Sequence, residues 1–279
     1  MAVKSIVVHV NRSSDTARRV RLAAQIAAMF RSRLIGAAMS GVSRYLTMDY
    51  ATSMGVSLAA EAMEEARAQA RAALQDFELQ CATLDVASYE SRLLDDQAAD
   101  GLVLQSRYCD LVVLGQATPD DVFIPLAEET PEYVATNSAR PVLVVPYAGH
   151  FAAPFRRILV AWDGSMEATR AVTAALPLMQ QADQVSLVVF NAERQPGVHG
   201  SEPGADMALY LARHGIEVEV SSQVTTIDIG SALLSHAADI DADLLVMGCY
   251  SHSRLREIML GGATRTILQS MTLPVLMAH

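Results

Sequence analysis

Residues Asp243–His279 read DLLVMGCYSHSRLREIMLGGATRTILQSMTLPVLMAH. An unbroken apolar run, Leu244 to Met247, ends at Gly248 and a polar, basic loop follows. Gly261-Gly262 then opens a helical segment, and Pro274-Val275-Leu276-Met277 is a second short apolar run. The order is strand, loop, helix, strand. Unbroken aliphatic strands belong to parallel sheets covered on both faces, whose ligands gather where loops leave the strands' carboxyl ends. Gly248 and Gly261-Gly262 stand at two such edges. Glycine lets main-chain N–H groups approach a bound group, and the free N–H groups at a helix start favour an anion. The segment from Gly248 to Arg265 carries Arg254, Arg256 and Arg265 against a single acid, Glu257, with His252 able to add charge, in a chain of formal net charge -10. A phosphate-bearing ligand finds complementary charge there, whereas nucleic acid meets an acidic protein almost everywhere else. The same residues also fit a plain alternative, a solvated basic face whose glycines only turn corners.

Working outward, one unit is written twice. Lys4–Asn11 (KSIVVHVN) resembles Arg157–Asp163 (RILVAWD), Asp110–Gly115 (DLVVLG) matches Asp243–Gly248 (DLLVMG), and Arg140–Pro146 (RPVLVVP) matches Leu273–His279 (LPVLMAH). Gly115 to Pro141 is 26 positions, and so is Gly248 to Pro274. The chain therefore reads as a tandem duplication, residues 1–147 and 155–279, with a hinge at Tyr147–Pro154 where YAGHFAAP breaks both periodicities.

In the first repeat, Thr16–Ser32 places Val20, Leu22, Ala23, Ala27 and Phe30 on one helical face after Ser13, Ser14 or Asp15 as cap. Leu34–Met39 reads as a strand, Leu58–Cys81 as an Ala/Glu/Arg-rich helix, Thr83–Ser91 as a polar alternating strand and Gln97–Ser106 as a helix. The loop Met39–Val56 holds Tyr45, Met48, Tyr50 and Met54, which suit a core edge or a partner surface more often than a pocket wall. The second repeat follows with helix Ala168–Met179, strand Val185–Phe190, a glycine- and proline-bearing loop Asn191–Gly204, helix Asp206–His214, strand Glu217–Gln223 and helix Ser231–Ile240. Such alternation implies an α/β fold of two tandem Rossmann-like domains, each a five-stranded parallel sheet flanked by helices, with a crevice beside the carboxyl end of the first strand. Asp163 stands at that point.

Half the residues are apolar and under a fifth are charged, as in a well-packed globular chain. The apolar run after Met1 is too short for a signal segment, and no stretch approaches the roughly 18 apolar residues of a membrane span. Cys81, Cys109 and Cys249 have neither paired nor metal-type spacing. A cytoplasmic protein with free thiols and no membrane or nucleic-acid partner is the expectation; Cys249, after a strand and near basic residues, is the one thiol placed for reactivity.

With these residues in hand, the chain resembles the universal stress protein family, as a tandem two-domain member, over nearly its full length. The marks are Asp163-Gly164-Ser165 after the first strand, Ala242–Gly248 (ADLLVMG) and the closing PVLM strand. Members that bind ATP carry Gly-x2-Gly-x9-Gly-Ser/Thr; here the register is Gly248, Ser251, Gly261, Gly262, with the spacing kept and two residues changed. The resemblance implies an adenine nucleotide alpha hydrolase-like fold and one ATP per chain. It places Asp163 by the adenosine, Met247 and Gly248 by the adenine or ribose, and Tyr250, Ser251, Gly261, Gly262 and Ala263 around the phosphates. It also implies pairing through the final strands, as a homodimer or an intrachain pseudo-dimer. The first repeat differs: its aligned loop holds Asp120, Asp121, Glu128, Glu129 and Glu132 without a Lys or Arg, and Asn11 replaces Asp163. Carboxylates in the place of phosphate donors repel phosphate, so that repeat is expected to pack and not to bind.

No Gly-x-Ser-x-Gly, His-Glu-x-x-His, Gly-x4-Gly-Lys-Ser/Thr or Cys-x-x-Cys is present. His252 is the imidazole nearest the expected phosphates, and His9 and Trp162 suit packing. Hydrolysis of ATP would at most be slow. Three functions follow: a stress-response nucleotide binder, a ligand-free interaction module acting through dimer surfaces, and, least supported because no His-x-Gly-His or Ser-Gly-Gly-x-Asp-Ser loop is present, an enzyme of the related nucleotide-binding α/β folds such as an adenylyl transferase.

Overall fold

The computed structural model describes residues 3–41, 56–117, 130–194, 197–198, 200–250 and 262–279, which fall into two compact units. The first comprises Val3–Gly115 with Ser138–Arg140, the second Gln116–Asn137 with Pro141–His279.

In the first unit the elements are β1 (Ser5–His9), α1 (Thr16–Phe30), β2 (Arg33–Met39), α2 (Val56–Thr83), β3 (Tyr89–Leu94), α3 (Ala98–Ser106) and β4 (Leu111–Gly115). The strands run parallel in the order β3-β2-β1-β4. β1 is central, with Ile6, Val7 and Val8 fully buried, and α1 covers it with Val20, Leu22, Ala23, Ile26 and Ala27. The predicted strand Thr83–Ser91 is displaced. α2 continues to Thr83, the chain turns at Asp85 in the left-handed region (φ 52), and β3 begins only at Tyr89.

The second unit contains α4 (Thr130–Asn137), β5 (Val142–Val145), β6 (Arg157–Ala161), α5 (Met166–Met179), β7 (Gln184–Phe190), α6 (Ala205–Arg213), β8 (Val218–Gln223), α7 (Ile229–Asp239), β9 (Leu244–Gly248), α8 (Gly262–Ser270) and β10 (Val275–Ala278). A one-turn 3₁₀ segment, Ala192–Arg194, follows β7. The strand order is β5-β10-β9-β6-β7-β8. All neighbours are parallel except β5, which runs antiparallel to β10 with Val144 opposite Val275. Each repeat thus supplies five strands to an α/β fold with a mostly parallel sheet, as expected, and the antiparallel pair joins the last strands of the two repeats. β5, written in the first repeat, joins the sheet of the second unit. β10 is paired on both sides, with β9 and with β5, and is fully covered.

One acid of the repeat acts alike in both halves. Asp110, just before β4, accepts the N–H groups of Lys4 (2.8 Å) and Ser5 (3.0 Å) at the start of β1. Asp243, just before β9, does the same for Arg156 (2.6 Å) and Arg157 (3.0 Å) at the start of β6. Each carboxylate satisfies main-chain donors that the sheet leaves open and fixes the register of two strands distant in sequence.

No described helix is long and apolar enough to cross a membrane. All three thiols are free and buried. Burial pushes Cys81 up to about 11 and Cys109 and Cys249 up to about 12, with the Glu167 charge adding to the effect at Cys249. Cys249 also donates to the carbonyl of Ala135 at 3.4 Å. The reactive thiolate that its position suggested is absent, because a strand-end residue facing inward is desolvated whatever the charge of the loop beyond it.

Candidate functional site

In the second unit, β6 lies between β9 and β7, so the place where a parallel sheet of this kind offers a crevice is where β6 and β9 end. The chain leaves β6 through Trp162 and Asp163, and Gly164 takes the left-handed backbone (φ 75) that makes the turn into α5. Asp163 is exposed, and its Oδ1 accepts both the N–H (3.0 Å) and the hydroxyl (2.6 Å) of Ser165. Ser165 in turn caps α5 by accepting the N–H of Ala168 at 3.1 Å. Asp163 thus shapes the helix entry through Oδ1. Trp162, predicted to be a core residue, is only half-buried, because it follows the last paired position of β6.

Gly248 closes β9 against this helix. A Cβ there would lie 2.5 Å from the nitrogen of Ala168 and 2.8 Å from the carbonyl carbon of Glu167. Only glycine lets the first turn of α5 rest on the strand end. The Met247 side chain is 5% exposed, so this residue offers the crevice its main chain and not its thioether. Tyr250 turns out of the strand at φ 52, with its N–H directed at the Thr264 hydroxyl of α8 (3.4 Å). Burial, followed by the Glu132 carboxylate, raises its phenol well above the usual range. Gly262 and Ala263 begin α8, whose first turn contains no acid, with Arg265 exposed on it.

Asp163, Met247, Gly248, Tyr250, Gly262 and Ala263 are accordingly carried by the ends of β6 and β9 and the start of α8. Ser251, Gly261, His252, Arg254, Arg256 and Glu257 lie outside the described residues. So do Asp120, Asp121, Glu128 and Glu129 of the first repeat and the loop with Tyr45, Met48, Tyr50 and Met54. No cluster of His, Cys, Asp and Glu suited to a metal ion occurs among the described residues.

The first unit fills the matching place differently. Arg19 of α1 is 2% exposed and donates through Nε to the His9 carbonyl (2.7 Å) and through Nη1 to Asp15 Oδ2 (2.5 Å). Its Nη2 donates to Thr16 Oγ1 (2.8 Å) and to Asn11 Oδ1. Gly115, at the end of β4, makes room for this pair: a Cβ there would meet Asp15 at 2.5 Å and Arg19 at 2.6 Å. Of Ser13, Ser14 and Asp15, the candidate caps, Asp15 takes the N-cap position, but its side chain makes no cap bond and pairs with Arg19. The Asp-x3-Arg spacing that brings the two together was visible. On a helix that spacing ordinarily marks a surface pair.

His9 at the end of β1 keeps some solvent contact, yet desolvation and then the Arg19 charge lower it from 6.5 to about 3. The native imidazole is neutral while the unfolded chain takes up a proton below 6.5. Stability is therefore unaffected by this group above that value and is lost as pH falls through the window toward 3, by at most about 1.4 kcal/mol per pH unit. Denaturant midpoints at pH 7 and pH 5 test this: wild type falls between them, and His9→Asn falls less.

A parallel α/β sheet whose strand ends meet a capped helix and a second, acid-free helix start defines a Rossmann-like domain. Residues 154–279 match the model of the universal stress protein family, and this domain is of that family. A universal stress protein of Synechocystis is 26% identical over 147 residues, 52% of this chain and 49% of the relative, so the chain spans about half the length of that curated relative. The crystal structure of a universal stress protein from Archaeoglobus fulgidus aligns with 99% of this chain and 98% of its own at 16% identity and a TM-score of 0.71, a likeness of fold. A universal stress protein solved in complex with cAMP aligns with 53% of this chain and all of its own at 23% identity and a TM-score of 0.38.

Proposed function

We propose that the protein is a cytoplasmic stress-response binding protein whose second unit holds one adenine nucleotide, ATP, per chain, and that it works by binding and not by turnover. The observation that carries this reading is the contrast between the two crevices. At the end of β6 the second unit has Ala161, Asp163 and, on α5, Ala171, which leave the strand end without a filling cation. The corresponding positions of the first unit are His9, Asn11 and Arg19. The acid-free start of α8 supplies main-chain N–H groups for phosphate, and Arg265 adds positive charge beside them.

Nucleotide content of the purified protein, released by denaturation and resolved by ion-exchange chromatography, is the direct test, followed by calorimetric titration of ATP into wild type and Gly262→Glu. The expected result is about one ATP or ADP per chain, lost in the variant, whose new carboxylate would sit at the helix start. Absence of copurified nucleotide together with no binding heat at millimolar ATP retires the proposal.

The second reading, an interaction module without nucleotide, is favoured by Gly248 itself. Contact with α5 already accounts for glycine at that position, with no ligand needed.

A further inference from the structure

We propose that Arg19 is a built-in ligand of the first unit, and that the acceptors surrounding it form a receptor for a guanidinium ion. The fork of Arg19 is met on every side: the His9 carbonyl takes Nε, Asp15 takes Nη1, and Asn11 and Thr16 take Nη2. All four acceptors come from the end of β1 and the entry into α1, the place where a Rossmann-like unit ordinarily offers its crevice to a ligand. The group is almost wholly withdrawn from water, with the Arg19 side chain 3% and the Asp15 side chain 4% exposed. A cation at the start of a helix is opposed by the helix dipole. Asp15 reverses that local field, and its carboxylate rests over Gly115, where any larger residue would displace it.

A planar donor with three nitrogens fits this set, and an ammonium or a metal ion does not reproduce its fork. The second unit has Ala168 and Ala171 where the first has Thr16 and Arg19, so the internal guanidinium and the hydroxyl that meets it belong to the first unit. The receptor stands independently of nucleotide binding, which concerns other residues.

Arg19→Ala removes the internal ligand and leaves its acceptors, whereas Arg19→Met keeps the space filled. Thermal unfolding of wild type and both variants is followed with low millimolar guanidinium chloride, against sodium chloride at equal ionic strength. Arg19→Ala should be stabilised saturably by guanidinium alone, and at ten times the dissociation constant its folding equilibrium constant rises about eleven-fold. Wild type and Arg19→Met should respond equally to both salts. A guanidinium response in Arg19→Ala no larger than in wild type overturns the receptor.

If Arg19→Ala does not fold in plain buffer, recovery of folded protein on refolding with guanidinium, and not with sodium chloride, gives the same answer, and failure to recover counts against the proposal. Wild type supplies a further measurement. Arg19 should show separate, exchange-protected guanidinium protons by NMR; a single averaged and rapidly exchanging set would mean that the side chain is not held.

Discussion

Asp15→Ala should lower stability by about 3–5 kcal/mol, the cost of breaking a buried ion pair from one side. The reason lies in what Arg19 keeps. After the substitution its guanidinium still meets the His9 carbonyl, Asn11 and Thr16, all neutral, and remains shut away from water with no counter-charge. Asp15→Asn should cost less, since an amide oxygen can still accept from Nη1. Exposed pairs provide the contrast. Arg156 and Asp183, 3.2 Å apart with side chains 60% and 67% exposed, should lose almost nothing in Asp183→Ala. Because the chain has two compact units, the measurement is the denaturation transition of the first unit, followed by hydrogen exchange at β1 and α1, and not a single overall midpoint. A loss for Asp15→Ala no greater than that for Asp183→Ala would show that the buried pair is not holding α1 to the sheet.

Gly248→Ala is the corresponding experiment in the second unit, with an expected loss of about 1–3 kcal/mol from overpacking. The added methyl would meet the nitrogen of Ala168 and the carbonyl carbon of Glu167, and backbone at a capped helix start has no alternative rotamer to adopt. α5 would have to withdraw, carrying with it the Asp163–Ser165 turn. ATP affinity should therefore fall together with stability if the proposed nucleotide site is correct. Gly200→Ala, where a Cβ meets nothing within 4 Å, serves as the neutral control. Equal midpoints for the two variants would mean that α5 and β9 are not in tight contact in solution.

The aliphatic strands were legible because burial on both faces leaves a residue pattern that no amphipathic helix or turn imitates: LLVM before Gly248 and VLVV before Pro146 each became a covered strand. β3 was misplaced because an edge strand is half-wet, and a polar stretch such as Thr83–Ser91 alternates almost equally well as a helix end and a turn. The crevice residues Asp163 and Gly248 could be located because glycine and a short acid at strand ends report backbone geometry. Arg19 could not. Its role depends on the carbonyl of His9 and on Gly115 at the end of another strand, and neither is adjacent to it in sequence. The antiparallel partner of β5 was unreadable for a related reason, since strand chemistry specifies burial and says nothing of direction.

That pairing has a consequence for biosynthesis. Val142–Val145 is translated well before Val275–Ala278, the strand it pairs with antiparallel, and all of β6 to β9 must emerge in between. During that interval a short, wholly apolar strand has a nascent chain in place of its β10 neighbour. The second unit can close only once Val275–Ala278 has emerged, whereas the sheet β3-β2-β1-β4 has all its strands available early.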